Sequence, residues 1–165
     1  MNKQANILFI NSSSSGNGLG PRKPLSRDAY YQQLIGSLLT RSINAKEGFE
    51  SVGRQLAAIA SHAYFARHIR AVEEASKLML ALPISNQLKA VARYYQAICV
   101  KKKGDFEGAR QILEGVLEEA TPRYRARALL SIGATYFDSG DVESSLPFYI
   151  SAGNAAREHD GVSLL

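Results

Sequence analysis

The residues that most resemble a phosphate-binding motif lie near the start of the chain. Residues 7–10 (ILFI) have the composition of a short strand, and a run of serines and glycines follows from Ser12 to Gly20. Such a loop holds phosphate on backbone amides when a helix begins directly after it. Pro21 and Pro24 follow instead, so the sequence does not predict that helix. We therefore predict a flexible Ser/Gly/Pro-rich tail over residues 1–25, with no nucleotide or flavin site.

The other reactive side chains give little support to metal or nucleophilic chemistry. The histidines are His62, His68 and His159, and the first two stand six residues apart, which does not place them on one helix face as a metal-binding pair. Cys99 lies in an apolar helical stretch, which indicates a buried side chain in a reducing compartment. No serine stands in a nucleophile elbow. We expect a non-enzymatic protein with no catalytic residue, no cofactor and no metal.

Positive charge is the remaining chemical signal. Residues 1–103 carry 15 Lys/Arg and 5 Asp/Glu, whereas residues 104–165 carry 5 and 10. This asymmetry is compatible with copies that stack head to tail, or with an acidic partner at the basic end. The alternative is that the charges lie on solvated faces and reflect drift in composition. Two basic groups, Lys101–Lys103 and the three arginines of residues 123–127, would form one basic surface if the fold brought them together. The alternative function is therefore a basic helical protein that associates with nucleic acid or an acidic partner.

Length and composition predict a single globular domain. The chain has 165 residues, of which 45% are hydrophobic and 21% charged, enough apolar material for a core. No stretch reaches the roughly 18 apolar residues that a membrane-spanning helix needs. The apolar run at residues 7–10 is too short for a signal peptide. We therefore expect a cytoplasmic location.

The spacing of apolar residues predicts about seven helices and no strand-rich region. Ser26 and Ser85 stand where they can cap helices. Pro147 should bend the last helix, or delay its regular part to residues 144–145. Residues 160–165 have the composition of the start of another element. The predicted helices are 27–42, 46–65, 68–81, 86–103, 105–120, 122–138 and 141–158.

Two Gly-Asp pairs, Gly104-Asp105 and Gly140-Asp141, stand 36 residues apart, and similar helical sequence segments flank each of them. Glycine ends a helix in the left-handed conformation without steric cost, and aspartate caps the next helix. Gly133 is small where two helices of a hairpin must approach closely. A period in the thirties with a helix, a tight turn and a second helix is typical of helical repeat arrays. The residues of the repeat motif around the second pair are Leu129, Ile132-Gly133, Tyr136, Gly140, Tyr149 and Ala152.

These units resemble tetratricopeptide repeats, most clearly over residues 90–159. The unit at 126–159 matches best, the unit at 90–125 matches in part, and a degenerate unit is expected at 52–83. The resemblance implies an all-α, antiparallel helix-hairpin solenoid over residues 26–165, wound as a right-handed superhelix. It also implies an interaction or scaffold role, in which the protein binds a peptide, a helical segment or another copy of itself.

The resemblance further implies a binding groove, because the first helix of each pair lines the concave side in that family. The groove would be apolar and aromatic with basic ends, suited to an apolar or amphipathic helical segment. The alternative is that these side chains pack against neighbouring helices or a covering chain. An array that ends on its seventh helix would also leave an apolar edge. The alternatives are that the chain is a fragment of a longer array, or that dimerisation or the N-terminal tail covers this edge. The predicted groove residues are Tyr64, Tyr94, Ile98, Lys101, Lys102, Arg127, Leu130 and Phe137.

Overall fold

The computed structural model describes residues 26–45 and 48–162, and this part of the chain is helical with short connections. The prediction of an all-α fold with seven helices is confirmed for these residues. The tail and the Ser/Gly-rich loop predicted within residues 1–25 lie outside the described residues. The helices are α1 (Arg27–Ala45), α2 (Phe49–Phe65), α3 (Ile69–Ala81), α4 (Asn86–Lys102), α5 (Phe106–Glu119), α6 (Pro122–Asp138) and α7 (Val142–Val162).

The helices form successive antiparallel hairpins. The pairs α2/α3, α4/α5 and α6/α7 are the hairpins, and their first helices also contact one another, α2 with α4 and α4 with α6. Helix α1 packs on α2 and α3. Among the helices of the described ranges, α7 packs on α6 alone. The predicted helix-hairpin solenoid is thus present, and its last helix has an uncovered side.

The three hairpin turns share one backbone geometry. Gly104 and Gly140 have φ values of +88° and +89°, as the Gly-Asp pairs predict. Arg67 holds the same place in the turn between α2 and α3, with a φ of +61°. The amides of the next residues, His68 and Asp141, each donate to the carbonyl five residues earlier, at 2.8 and 3.0 Å. The hairpin of α2 and α3 is therefore built like the other two, although its turn lacks glycine.

Four helices begin at side-chain caps that the sequence indicates. Oxygens of Ser26, Ser85, Asp105 and Asp141 accept the backbone amide three residues ahead, at 3.2, 3.4, 2.8 and 3.0 Å. Each cap satisfies an amide that has no partner within its helix. These local hydrogen bonds fix where α1, α4, α5 and α7 begin.

Helix α7 departs from two expectations. It begins at Val142, directly after its Asp141 cap, and continues through Pro147 as one helix, so the delayed start is wrong. The separate element predicted from residue 160 is also wrong, because α7 continues to Val162. The run from Ala155 to Glu158 consists of good helix formers and no proline follows it, so the helix is not interrupted there.

The core follows the inside of the array from α1 to α6. Burial of these apolar side chains is the main source of stability. No helix within the described ranges is long and apolar enough to cross a membrane. The large side chains that are almost fully buried include Leu56, Val72, Met79, Tyr95, Leu113, Val116 and Ile132.

Candidate protein-binding surface

Two of the predicted groove residues belong to the core. Tyr94 and Ile98 are each only 5% exposed. The ring of Tyr94 packs edge-on against those of Tyr95 and Tyr124, with centroids 5.2 and 5.6 Å away, and burial raises the pKa of Tyr94. Because α6 lies over Tyr94, this side chain has little surface left for a partner. The packing alternative therefore describes these two residues better than the groove does.

Aromatic rings join the first helices of all three hairpins. The Tyr95 ring on α4 lies 6.4 Å from Tyr64 on α2 and 6.4 Å from Tyr124 on α6, centroid to centroid. The guanidinium of Arg127 lies over the Tyr124 ring at 5.3 Å. Tyr64 and Arg127, both predicted to line the groove, remain partly exposed at the two ends of this band. The Tyr64 ring and the Arg127 guanidinium therefore pack within the array, and both side chains also form part of its surface.

A pocket of about 530 Å³ opens beside the turn between α2 and α3. Tyr64 and Lys102, both predicted groove residues, line it together with Phe65, Arg67 and Ile69. Phe65 is 70% exposed, and sequence reasoning missed it. The pocket is therefore lined by the exposed ring of Phe65 and by the positive charges of Arg67 and Lys102.

The fold does not gather the two basic groups. The ammonium of Lys101 lies 2.9 Å from the carboxylate of Asp138, and that of Lys103 lies 3.0 Å from Glu73. Helices α4 and α6 run in the same direction, and the Lys101–Asp138 pair joins their carboxyl ends. The arginines of residues 123–127 therefore lie at the opposite end, and a single basic surface for nucleic acid is not formed by the described residues.

Exposed apolar side chains concentrate on the last hairpin. Leu130 and Phe137 of α6 are 54% and 53% exposed. Val142, Leu146 and Ile150 of α7 are 52%, 55% and 65% exposed. The last described hairpin therefore carries five exposed apolar side chains, and two of them, Leu130 and Phe137, are predicted groove residues.

A groove of about 420 Å³ lies between α6 and α7, and we call it the terminal seat. Leu130 and Ala152 in this groove stand 36 residues after Tyr94 and Val116, which are buried where α6 packs on α4 and α5. The terminal seat is therefore the equivalent, one hairpin later, of a groove that holds a helix. Its lining is Arg123, Ala126, Arg127, Leu130, Tyr149, Ala152, Gly153 and Ala156.

The reactive side chains of the described residues are engaged in packing. The Nδ1 atom of His62 lies 2.8 Å from the Tyr31 hydroxyl, and the His68 ring lies 5.2 Å from the Tyr31 ring. The side chain of His159 lies outside the described part. Burial raises the pKa of the Cys99 thiol to about 11, which keeps it protonated and weakly reactive. Among the described side chains, no group of three or more His, Cys, Asp or Glu residues is placed to hold a metal ion.

Comparisons of this chain with protein-family models, curated proteins and solved structures found no match. The resemblance to tetratricopeptide repeats therefore rests on the motif residues and their 36-residue spacing. Antiparallel helix hairpins are common to several repeat families, so the fold alone does not choose among them.

Proposed function

We propose that this chain is a non-enzymatic interaction module of tetratricopeptide-like repeats, which binds a helical segment of another protein. The terminal seat is the observation that carries the proposal. It repeats the groove in which α6 lies, and no helix of the described residues fills it. An apolar groove of helix width is the usual receptor for an amphipathic helix.

The packing of α6 on α4 and α5 predicts the chemistry of the bound helix. Tyr124, in the first turn of α6, places its ring against Tyr94, and Leu130 takes the place of Tyr94 in the terminal seat. A helix that lies in the seat as α6 lies on α4 and α5 would put an apolar first-turn residue against Leu130. Arg123 and Arg127 border that end, so acidic residues in the first turn complement both the arginines and the helix dipole.

A cytoplasmic location is part of the proposal. Cys99 is the single cysteine of the chain, and its sulfur lies 3.9 Å from the carbonyl oxygen of Ile69 inside the packed helices. A buried, protonated thiol that serves as a small apolar side chain is typical of a reducing compartment.

A labelled synthetic helix tests the proposal directly. The probe is a peptide with the sequence of residues 122–138, with glutamate in place of its three arginines at 123, 125 and 127. We expect it to bind the full chain in a fluorescence anisotropy titration. Leu130→Ser in the protein should weaken that affinity roughly tenfold, because the residue lies at the centre of the apolar groove.

A matched control distinguishes binding in the terminal seat from nonspecific binding to exposed apolar side chains. Ile43 on α1 is 76% exposed and lies away from the seat, so Ile43→Ser should leave the affinity unchanged. Equal losses for both variants, or no binding of the probe to the wild-type chain, would overturn the proposal. A gel shift with labelled RNA that weakens steeply with salt would favour the nucleic-acid alternative instead.

A further inference from the structure

The outer side of α7 is apolar where the preceding hairpin is charged. Leu146 and Ile150 are 55% and 65% exposed. The residues 36 positions earlier, in α5, are Arg110 and Glu114. The Arg110 side chain is only 14% exposed and stacks on the Tyr136 ring of α6, whereas Glu114 is exposed although another hairpin follows it. The position of Ile150 therefore faces solvent in an internal hairpin too. Its apolar side chain needs an explanation other than the end of the array.

Charged residues stand at the two ends of this apolar surface. Glu143, Leu146, Ile150, Asn154 and Arg157 recur at spacings of three and four, so they lie on one face of α7, and all five are exposed. We call this face the α7 stripe. A guanidinium nitrogen of Arg157 lies 2.6 Å from the amide oxygen of Asn154, which holds the arginine along the stripe. Ile150 stands midway, seven residues after Glu143 and seven before Arg157.

We propose that the α7 stripe pairs with the α7 stripe of a second copy of this chain. The two helices run antiparallel, with Ile150 on the two-fold axis. This arrangement brings Glu143 of each copy opposite Arg157 of the other, so the dimer has two equivalent ion pairs around an apolar centre. Parallel pairing would place like charges together at both ends and is disfavoured.

Self-pairing is independent of helix binding in the terminal seat. The two surfaces share no residue, since the stripe faces outward and the seat lies between α6 and α7. A variant of the stripe should therefore bind the labelled helix with wild-type affinity. The two proposals can fail separately.

Sedimentation equilibrium of the full chain tests the dimer. We expect the mass to rise with concentration from the 18.0 kDa of one chain towards twice that value. The double variant Leu146→Glu/Ile150→Glu should stay monomeric at the same concentrations, with an unchanged circular dichroism spectrum. The control Ile43→Glu alters an exposed apolar side chain on α1 and should still dimerise. A wild-type chain that is monomeric at every concentration would overturn the proposal, as would a dimer that the double variant does not affect.

Charge reversal tests the antiparallel register without touching the apolar centre. Glu143→Arg and Arg157→Glu each put like charges at both ends of the dimer, and each should raise the dimer dissociation constant roughly tenfold at low salt. A chain with both reversals restores the two ion pairs and should return to the wild-type value. If single reversals have no effect, or if the double reversal does not restore pairing, the register is wrong.

Discussion

The close contact between α6 and α7 depends on Gly133, which has no side chain. A Cβ atom at this position would lie 2.9 Å from two ring carbons of Tyr149 and 3.1 Å from the carbonyl oxygen of Ser145. Real Cβ atoms do not approach a ring that closely. Tyr149 also lines the terminal seat, so the glycine positions a binding-surface residue as well as a packing residue.

We expect Gly133→Ala to lower the free energy of unfolding by about 1–3 kcal/mol, because the added carbon pushes the Tyr149 ring aside. Gly115 is the matched control, since it lies inside α5 and a Cβ there meets nothing within 4 Å. Gly115→Ala should raise stability by roughly 0.5–1 kcal/mol through helix propensity. Urea unfolding followed by circular dichroism measures both. A similar loss in the two variants would show that close approach is not the cause.

At the scale of the elements, Glu50 of α2 holds the beginning of α4. Its carboxylate accepts hydrogen bonds from the Ser85 hydroxyl at 2.7 Å and the Ser85 amide at 2.9 Å. These hydrogen bonds lower the pKa of Glu50 from its ordinary value of 4.5. Because the pKa is lower in the folded state, this contribution to stability is present at neutral pH. It is lost as the pH falls below 4.5 through the folded pKa.

We expect Glu50→Gln to reduce the loss of stability between about pH 6 and pH 3, because the variant has no proton to take up at this site. The measurement is the urea midpoint as a function of pH. Glu118→Gln, a change to an exposed side chain of α5, is the control and should keep the wild-type slope. Glu73, Glu107 and Asp141 also have lowered pKa values, so the variant keeps part of its acid sensitivity. Equal slopes for both variants would contradict the role of Glu50.

The helices and most hairpin turns could be predicted because their signals are local. Asp105 and Asp141 cap helices from side chains next to the turn, and Gly104 and Gly140 permit the positive φ there. The turn at Arg67 could not be recognised in this way. Arginine rarely adopts a positive φ, so the residue type does not indicate the end of a helix there.

The exposure of the groove residues could be predicted only in part. Tyr94 and Leu130 occupy the same place in successive repeats, yet Tyr94 is buried and Leu130 is exposed. The difference lies in what packs next, since α6 covers Tyr94 and no described helix covers Leu130. Residue type and spacing do not contain that information, so the sequence predicted both residues as one surface.

At the scale of the whole molecule, the array predicts a gradient of local stability. Each repeat contacts mainly its neighbours, so the free energy of local opening depends on how many neighbours a helix has. Helix α4 packs on α2, α3, α5 and α6, whereas α1 packs only on α2 and α3. Three buried apolar side chains, Tyr31, Ile35 and Leu38, attach α1 to the core. Helix α1 should therefore open before α4.

Hydrogen exchange measured by mass spectrometry tests this gradient. We expect amides of α1 to exchange faster than those of α4, because α1 packs on two helices and α4 on four. Addition of the helical probe should slow exchange in α6 and α7 and leave α1 unchanged, since the terminal seat lies at the other end of the array. One common rate for α1 and α4 would mean that the array opens as a single unit. If the array opens as a single unit, binding of the helical probe should slow exchange in α1 and α7 equally, and the same hydrogen-exchange measurement shows whether it does.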